Sequence, residues 1–344
     1  MKEPYFFVDF DTFNISKIAF QDSYYDQVLD FVISLKNENW TLQVKSSGST
    51  GTPKVFNFTK VQAITSAKIS NSFFGINKNS ILFLPLSIEF IAAKMLLIRA
   101  FEAKCKIYIV KPSANPIKDL HKKIDFISLT PYQVQNILEQ NPKKFNLIKK
   151  CLIGGAAMPS KWIQKLKEIH STCLYYESFG MTETLSHFAI KELLTDHLGF
   201  KKLTEYQIAT NLEQQLVISH PIIVPNPLTT NDIVEIIDSD HFNFIGRKDF
   251  TVNSGGIKIQ IEPLENEMEK FIHFPFFLSK KNDTIFGEKL VFCFLKKENI
   301  LNEQIFELFK SIPISKYQIP KELIRLETFK YTENGKIIRK LDKY

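Results

Sequence analysis

Between Lys45 and Thr59 the chain reads KSSGSTGTPKVFNFT. Glycines at 48 and 51, hydroxyls at 46, 47, 49, 50 and 52, and a lysine at 54 crowd hydrogen-bond donors into one short loop. Freed backbone N–H groups, hydroxyls and an ammonium are what phosphate oxygens need. The spacing differs from the Walker A loop, where Lys directly follows the second Gly. Here Thr52 and Pro53 separate Gly51 from Lys54. Taken alone, a Ser/Gly-rich stretch reads equally as a polar linker. A strand and a capped helix follow it, which favours the phosphate reading.

Glycine marks other places where backbone meets a ligand. Only 12 of 344 residues are Gly, about half the usual 7%. Nine of them fall in five short stretches: Gly48 and Gly51; Gly154 and Gly155; Gly180; Gly246, Gly255 and Gly256; and Gly335. Such positions exclude a Cβ. A tight turn explains any one cluster; all five together point to a ligand.

These stretches need a scaffold to bring them together. Residues 55–58 read as a strand, and Thr59 caps a helix over TKVQAITSAKISNSFF. Apolar runs at 80–86, 106–110, 125–131, 150–155 and 173–183 read as strands, alternating with helices over 89–103, 132–140 and 159–170. That alternation predicts an α/β fold: a mostly parallel sheet covered by helices. Ligands then bind beyond the carboxyl ends of the strands, where Gly154, Gly155 and Gly180 fall. From about residue 203 short strands dominate, as in a β-rich subdomain. The last hundred residues read as a small α+β unit. The expected division is a large N-terminal domain, 1–248, and a small C-terminal domain, 249–344.

Composition narrows the class. Apolar residues make up 44% and charged residues 24%, as in ordinary globular proteins. No apolar run reaches the length of a membrane span, and the N-terminus lacks the pattern of a secretory signal. Cysteines 105, 151, 173 and 293 lie far apart, with no C-x-x-C. A cytoplasmic protein with buried thiols is expected, without a zinc site or disulfide framework. The net charge of +7 is scattered among 37 acidic residues, so it reads as a solvated surface and no nucleic-acid partner is expected.

Four stretches in order, SSGSTGTPK (46–54), FGMTE (179–183), GRKDFTVNSGGIKI (246–259) and NGKIIRK (334–340), resemble the adenylate-forming superfamily of acyl-CoA synthetases, adenylation domains and luciferases. The resemblance covers most of the chain from Lys45 onward. It implies that Ser46, Ser47, Gly48, Ser49, Thr50, Gly51 and Lys54 wrap the phosphates of ATP. Gly154, Gly155 and Ala156 would line the adenine and acid pockets with backbone, and Phe179 and Gly180 would meet adenine. Thr182 would bond the α-phosphate, and Glu183 would hold Mg²⁺ through hard oxygen ligands. Asp232 would accept from ribose, with Arg247 beside it. In TTND (229–232) Asn231 replaces the family's glycine; asparagine tolerates positive φ, so a turn is expected to survive. Asp249 would be the hinge. Lys336 would be the catalytic lysine that neutralises charge between carboxylate and phosphate. After a rotation, Gly255, Gly256 and Lys258 would line the path of coenzyme A, the acyl acceptor.

The phosphate loop starts at residue 46, so the family's usual first subdomain is expected to be reduced. ESFGMTETLSHFAIK and LPLSIEFIAAKMLLIRA are similar to the compact o-succinylbenzoate–CoA ligases of menaquinone synthesis. That implies an aromatic dicarboxylate substrate, with Phe90, Lys94, Ser186 and His187 around its acid pocket. Lys94, one turn beyond Phe90, would attract the unreacting carboxylate, though an exposed helix lysine fits as well. Other readings stay open: another aryl or acyl acid, a carrier-protein acceptor, a phosphotransferase, or a non-catalytic nucleotide-binding module.

Overall fold

The computed structural model describes residues 5–15, 22–45, 55–195, 199–331, 337–339 and 341. Ahead of the phosphate loop come strands β1 (Phe6–Asp9) and β2 (Asn14–Ile15), helix α1 (Ser23–Ser34) and strand β3 (Thr41–Lys45). The Tyr24 hydroxyl of α1 donates to the Leu86 carbonyl at 2.9 Å. This pins the loop that feeds the candidate acid pocket. Strand β4 (Val55–Thr59) pairs antiparallel with β3, with Lys45 opposite Val55. The phosphate loop is therefore the connection of a hairpin; residues 46–54 themselves lie outside the described residues.

Helix α2 (Lys60–Phe74) starts in a capping box, with Thr59 and Gln62 each bonding the other's backbone N–H at 3.2 and 2.9 Å. It stops at Gly75, in the left-handed region at φ +63°. Next come β5 (Ile81–Leu84), α3 (Ile91–Glu102), β6 (Lys106–Ile109), β7 (Ile124–Leu129), α4 (Pro131–Gln140), β8 (Ile148–Ile153), α5 (Ser160–Glu168) and β9 (Leu174–Gly180). Thr130 and Gln133 repeat the capping box at α4, with Pro131 in its first turn. The parallel run lies in the order β9-β8-β7-β5-β6. Its direction of winding changes between β5 and β7, the place where open α/β sheets put their ligands.

The β-rich region does not fold back as a sheet of its own. Strands β10 (His187–Glu192), β11 (Phe200–Lys202), β12 (Gln207–Thr210), β13 (Gln215–His220), β14 (Val224–Ile236) and β15 (His241–Arg247) continue the same sheet, antiparallel, beyond β9. The result is one 13-stranded sheet with β1 and β2 on its far edge. A second sheet holds β16 (Thr251–Ser254), β17 (Ile257–Gln260), β18 (Phe276–Asp283), β19 (Gly287–Leu295) and β20 (Glu322–Leu326), with helices α6 (Ile261–Met268) and α7 (Asn302–Ser311). Its core forms around Val252, Ile259, Leu264, Phe292 and Phe309.

Asn231 does not sit in a turn. It lies inside β14, and it is not among the residues with positive φ. An extended backbone needs no glycine there. All four cysteines are buried and unpaired. Burial pushes the thiols of Cys105, Cys173 and Cys293 up to about 12, and that of Cys151 well above its usual range. Among the described residues no helix is long and apolar enough to cross a membrane.

Candidate active site

Sheet geometry brings Gly154, Gly155 and Gly180 to one edge. β8 runs into Gly154–Gly155 and β9 into Gly180, at the carboxyl ends of adjacent parallel strands. Gly155 has φ +89° and open space where a Cβ would stand; Gly155 and Ala156 are exposed. Gly154 and Gly180 have packing reasons instead. A Cβ at 154 would lie 2.4 Å from the Ser178 hydroxyl, and one at 180 would lie 2.5 Å from the backbone of Ser186 and His187. Glycine clustering therefore records strand contact as well as ligand approach.

The segment after β9 is sharply bent. The Thr184 hydroxyl accepts from Met181 N–H (3.0 Å) and donates to the Ser186 carbonyl (2.7 Å). Ser186 N–H closes onto the Thr184 carbonyl at 2.7 Å. Leu185 between them is buried at φ +64°, ψ −39°, a strained three-residue turn for a residue with a Cβ. Beside this fully bonded Thr184, the side chains of Thr182 and Glu183 are half-exposed and make no hydrogen bond or ion pair among the described residues. An uncommitted carboxylate on a rigid turn fits a hard cation that takes its other oxygens from phosphates and water. Among the described residues no cluster of three metal-ligating side chains exists to cage an ion without them.

Phe179 is half-buried and already meets four rings, those of Phe188, Phe200, Phe242 and Phe244, at 5.0–5.6 Å. A base would be one more neighbour in that cluster. Cross-strand pairing sets Asp232 of β14 opposite Arg247 of β15. The Arg247 fork donates to both oxygens of Asp249 at 3.0 and 3.1 Å and to Asp232 at 3.0 Å. The local salt bridge that sequence alone suggests for Arg247 and Asp249 is thus present, and it extends to the ribose candidate.

Gly255 and Gly256 form the two-residue turn of the β16–β17 hairpin, at φ +60° and +81°. That backbone requires glycine. Both are exposed, as is Lys258. Lys336 lies outside the described residues. Just beyond it, Arg339 is anchored by Glu265, Nε to Oε1 at 3.2 Å with Nη2 on Oε2.

On the acid side, Phe90 caps α3 and is 46% exposed. Lys94 is half-buried, which lowers its pKa, and it has no ion-pair partner among the described residues. His187 is buried and turned inward; Ser186 keeps partial exposure. Behind them stands a residue the motifs did not reveal. Arg99 of α3 is 2% exposed, donates from Nη2 to Ser186 Oγ at 2.7 Å, and leaves Nε without a partner among the described residues. Burial alone pushes its pKa down to about 9, so the guanidinium stays charged at neutral pH. No carboxylate pairs with it among the described residues. The sequence does carry a signal, an arginine inside the apolar run MLLIRAF. A cavity of about 240 Å³ lined by Asn77, Asp125 and Lys150 opens at the amino ends of the strands, away from all these residues.

Residues 32–212, more than half of the chain, match the family described as AMP-binding enzyme. The chain belongs to that family. Curated relatives include the 2-succinylbenzoate–CoA ligases of Staphylococcus epidermidis, 24% identical over 86% of this chain and 68% of theirs, and of Staphylococcus aureus, 27% identical over 86% of this chain and 65% of theirs. This AMP-binding enzyme thus spans about two thirds of the length of those relatives. Among solved structures, an acyl-CoA synthetase (AMP-forming)/AMP-acid ligase II-like protein from Dyadobacter fermentans superposes with TM-score 0.63 at 28% identity, covering 92% of this chain and 93% of that one. The o-succinylbenzoate CoA synthetase of Bacillus subtilis, solved with its acyl-adenylate intermediate, gives TM-score 0.77 at 18% identity, covering 88% of this chain and 68% of that one. The AMP-binding fold is shared across both.

Proposed function

We propose that this AMP-binding enzyme is an ATP-dependent acid–thiol ligase that joins o-succinylbenzoate to coenzyme A in the cytoplasm. One observation carries the choice of acid: a buried, charged Arg99 with no carboxylate among the described residues to neutralise it, behind Ser186 on the rim of the ligand edge. A buried unpaired charge is expensive, and an incoming second carboxylate offsets that cost. The names of the relatives point to the same acid.

The roles follow the geometry. Residues 46–54, held between β3 and β4, bind the triphosphate. Phe179 and the backbone of Gly154, Gly155, Ala156 and Gly180 border adenine. Asp232 takes the ribose hydroxyls, and Arg247 holds Asp232 against Asp249. Thr182 bonds the α-phosphate. Glu183 would hold Mg²⁺, which would supply charge neutralisation for the phosphates. The acid's carboxylate attacks the α-phosphorus; pyrophosphate leaves and acyl-AMP forms. Lys336 stabilises the charge that builds up between them. The small domain, 249–344, then turns about Asp249, so that the hairpin of Gly255, Gly256 and Lys258 borders the thiol's path. The thiol attacks the acyl carbonyl and AMP leaves.

Acid-dependent release of AMP and pyrophosphate tests this reading, with o-succinylbenzoate set against an analogue lacking the aliphatic carboxylate. The diacid is expected to react with a KM at least about tenfold lower than the analogue, and Arg99→Met to erase most of that preference, since a charge-assisted bond is worth about 1.5–3 kcal/mol. ADP as the nucleotide product would overturn the reaction class. Turnover with other acids but not this one would overturn the substrate.

A further inference from the structure

We propose that His187, braced by Ser70, is a positioning residue that fixes the Arg99 guanidinium for the acid's second carboxylate; this rests on the acid-pocket reading above. Three elements meet here. Ser70 lies on α2, Arg99 on α3, and His187 opens β10. His187 Nδ1 lies 3.4 Å from Arg99 Nη2 and 3.3 Å from Ser186 Oγ, and Nε2 lies 3.1 Å from Ser70 Oγ.

The chemistry of the partners assigns the ring's proton. A guanidinium has no lone pair to offer, so Nδ1 accepts and the proton sits on Nε2, donated to Ser70. The imidazole is therefore neutral. Its burial and the adjacent guanidinium both hold its pKa well below the ordinary histidine value. A protonated ring would set a second cation against Arg99.

Its backbone is fixed as firmly as its ring. The strained turn at Leu185 delivers Ser186 and His187 into β10, and Gly180 lets that backbone pass within what a Cβ would block. Asn71 Nδ2 donates to the Arg99 carbonyl at 2.9 Å, tying α2 to α3. The outcome is a fork held at one end. Nη2 is shared by two neutral acceptors, Ser186 and His187, while Nε has no partner among the described residues. An arginine buried for packing alone would have its donors filled. This one keeps its full charge and a spare donor, in an orientation set by neutral groups.

The test compares His187→Leu with His187→Asn, whose amide oxygen can stand near the position of Nδ1. KM for the diacid, KM for ATP and kcat are measured in the full chain, together with KM for the analogue lacking the second carboxylate. His187→Leu is expected to raise the diacid KM about tenfold, with kcat and the ATP KM within about threefold, because one hydrogen bond to a charged group is lost. The analogue's KM stays unchanged, and His187→Asn restores most of the diacid affinity. Equal loss in both variants, an equal rise in the ATP KM, or no change would overturn the proposal. If His187→Leu does not fold, Ser70→Ala replaces it, with a rise of about threefold in the diacid KM expected and no rise overturning the proposal. Arg99→Met separates the two readings. If it leaves the diacid preference intact, the pocket reading fails; if it removes the preference and His187→Leu does not, only the positioning role fails.

Discussion

At the scale of single residues, the buried imidazole has a consequence for stability. His187 is neutral in the fold, with its pKa held down by burial and by Arg99. The unfolded chain binds a proton there below about 6.5 that the folded chain refuses. The stabilisation is therefore complete above that pH and is lost as pH falls from 6.5 towards the folded value. Thermal melting of the wild type is expected to drop over that acidic interval more steeply than that of His187→Asn. Parallel curves would contradict the assignment; the difference between the two proteins isolates this group from His220, whose pKa burial also lowers. Residue types told part of this story. Thr182, Glu183, Asp232 and Arg247 could be singled out as candidates because they fall in short recurring strings. Arg99 was not, because its meaning lies in what is missing around it. A charge without a counter-ion is a property of three-dimensional packing that no local string displays.

At the scale of elements, two glycines that look alike in sequence behave differently. A methyl at Gly180 would meet the backbone of His187 at 2.5 Å, and neither strand can give way without breaking the pairing. Gly180→Ala is expected to cost about 2–4 kcal/mol in urea unfolding, in the range of overpacked cores. Gly155→Ala meets nothing and suffers only from its φ of +89°, costing about 1–2 kcal/mol. Equal losses in the two variants would refute this contrast. Helices and parallel strands were readable for a physical reason: caps such as Thr59 with Gln62 and Thr130 with Gln133 act within four residues, and the buried strands are mostly apolar. Strands β1, β18 and β20 escaped sequence reading. For β1 and β20 the partners are not sequence neighbours: β1 pairs with β6 and β20 with β19, and such pairings leave little trace in local pattern, whereas β18 forms a local hairpin with β19.

At the scale of the whole molecule, the expected β-rich part is present and extends the main sheet, because β10 pairs directly with β9. Alternation of strands predicted its content but not its edge. The proposed two-step cycle depends on the segment after Lys336 moving as one body with the second sheet, which Glu265 secures by holding Arg339 and the Leu278 N–H together. Glu265→Ala is expected to slow acyl-AMP formation about tenfold or more, the scale of a lost charge-assisted contact, while thioester formation from supplied acyl-AMP falls less. Equal slowing of both steps would count against a role specific to the lysine segment. The four interior cysteines bear on the same cycle. An activated acyl group is as vulnerable to a thiolate of its own host as to the intended acceptor, since the thiolate is the attacking species. With every cysteine shut away and held as the uncharged thiol, this protein offers its high-energy intermediate no thiolate of its own, and self-acylation through cysteine is closed off by the same packing that builds the core.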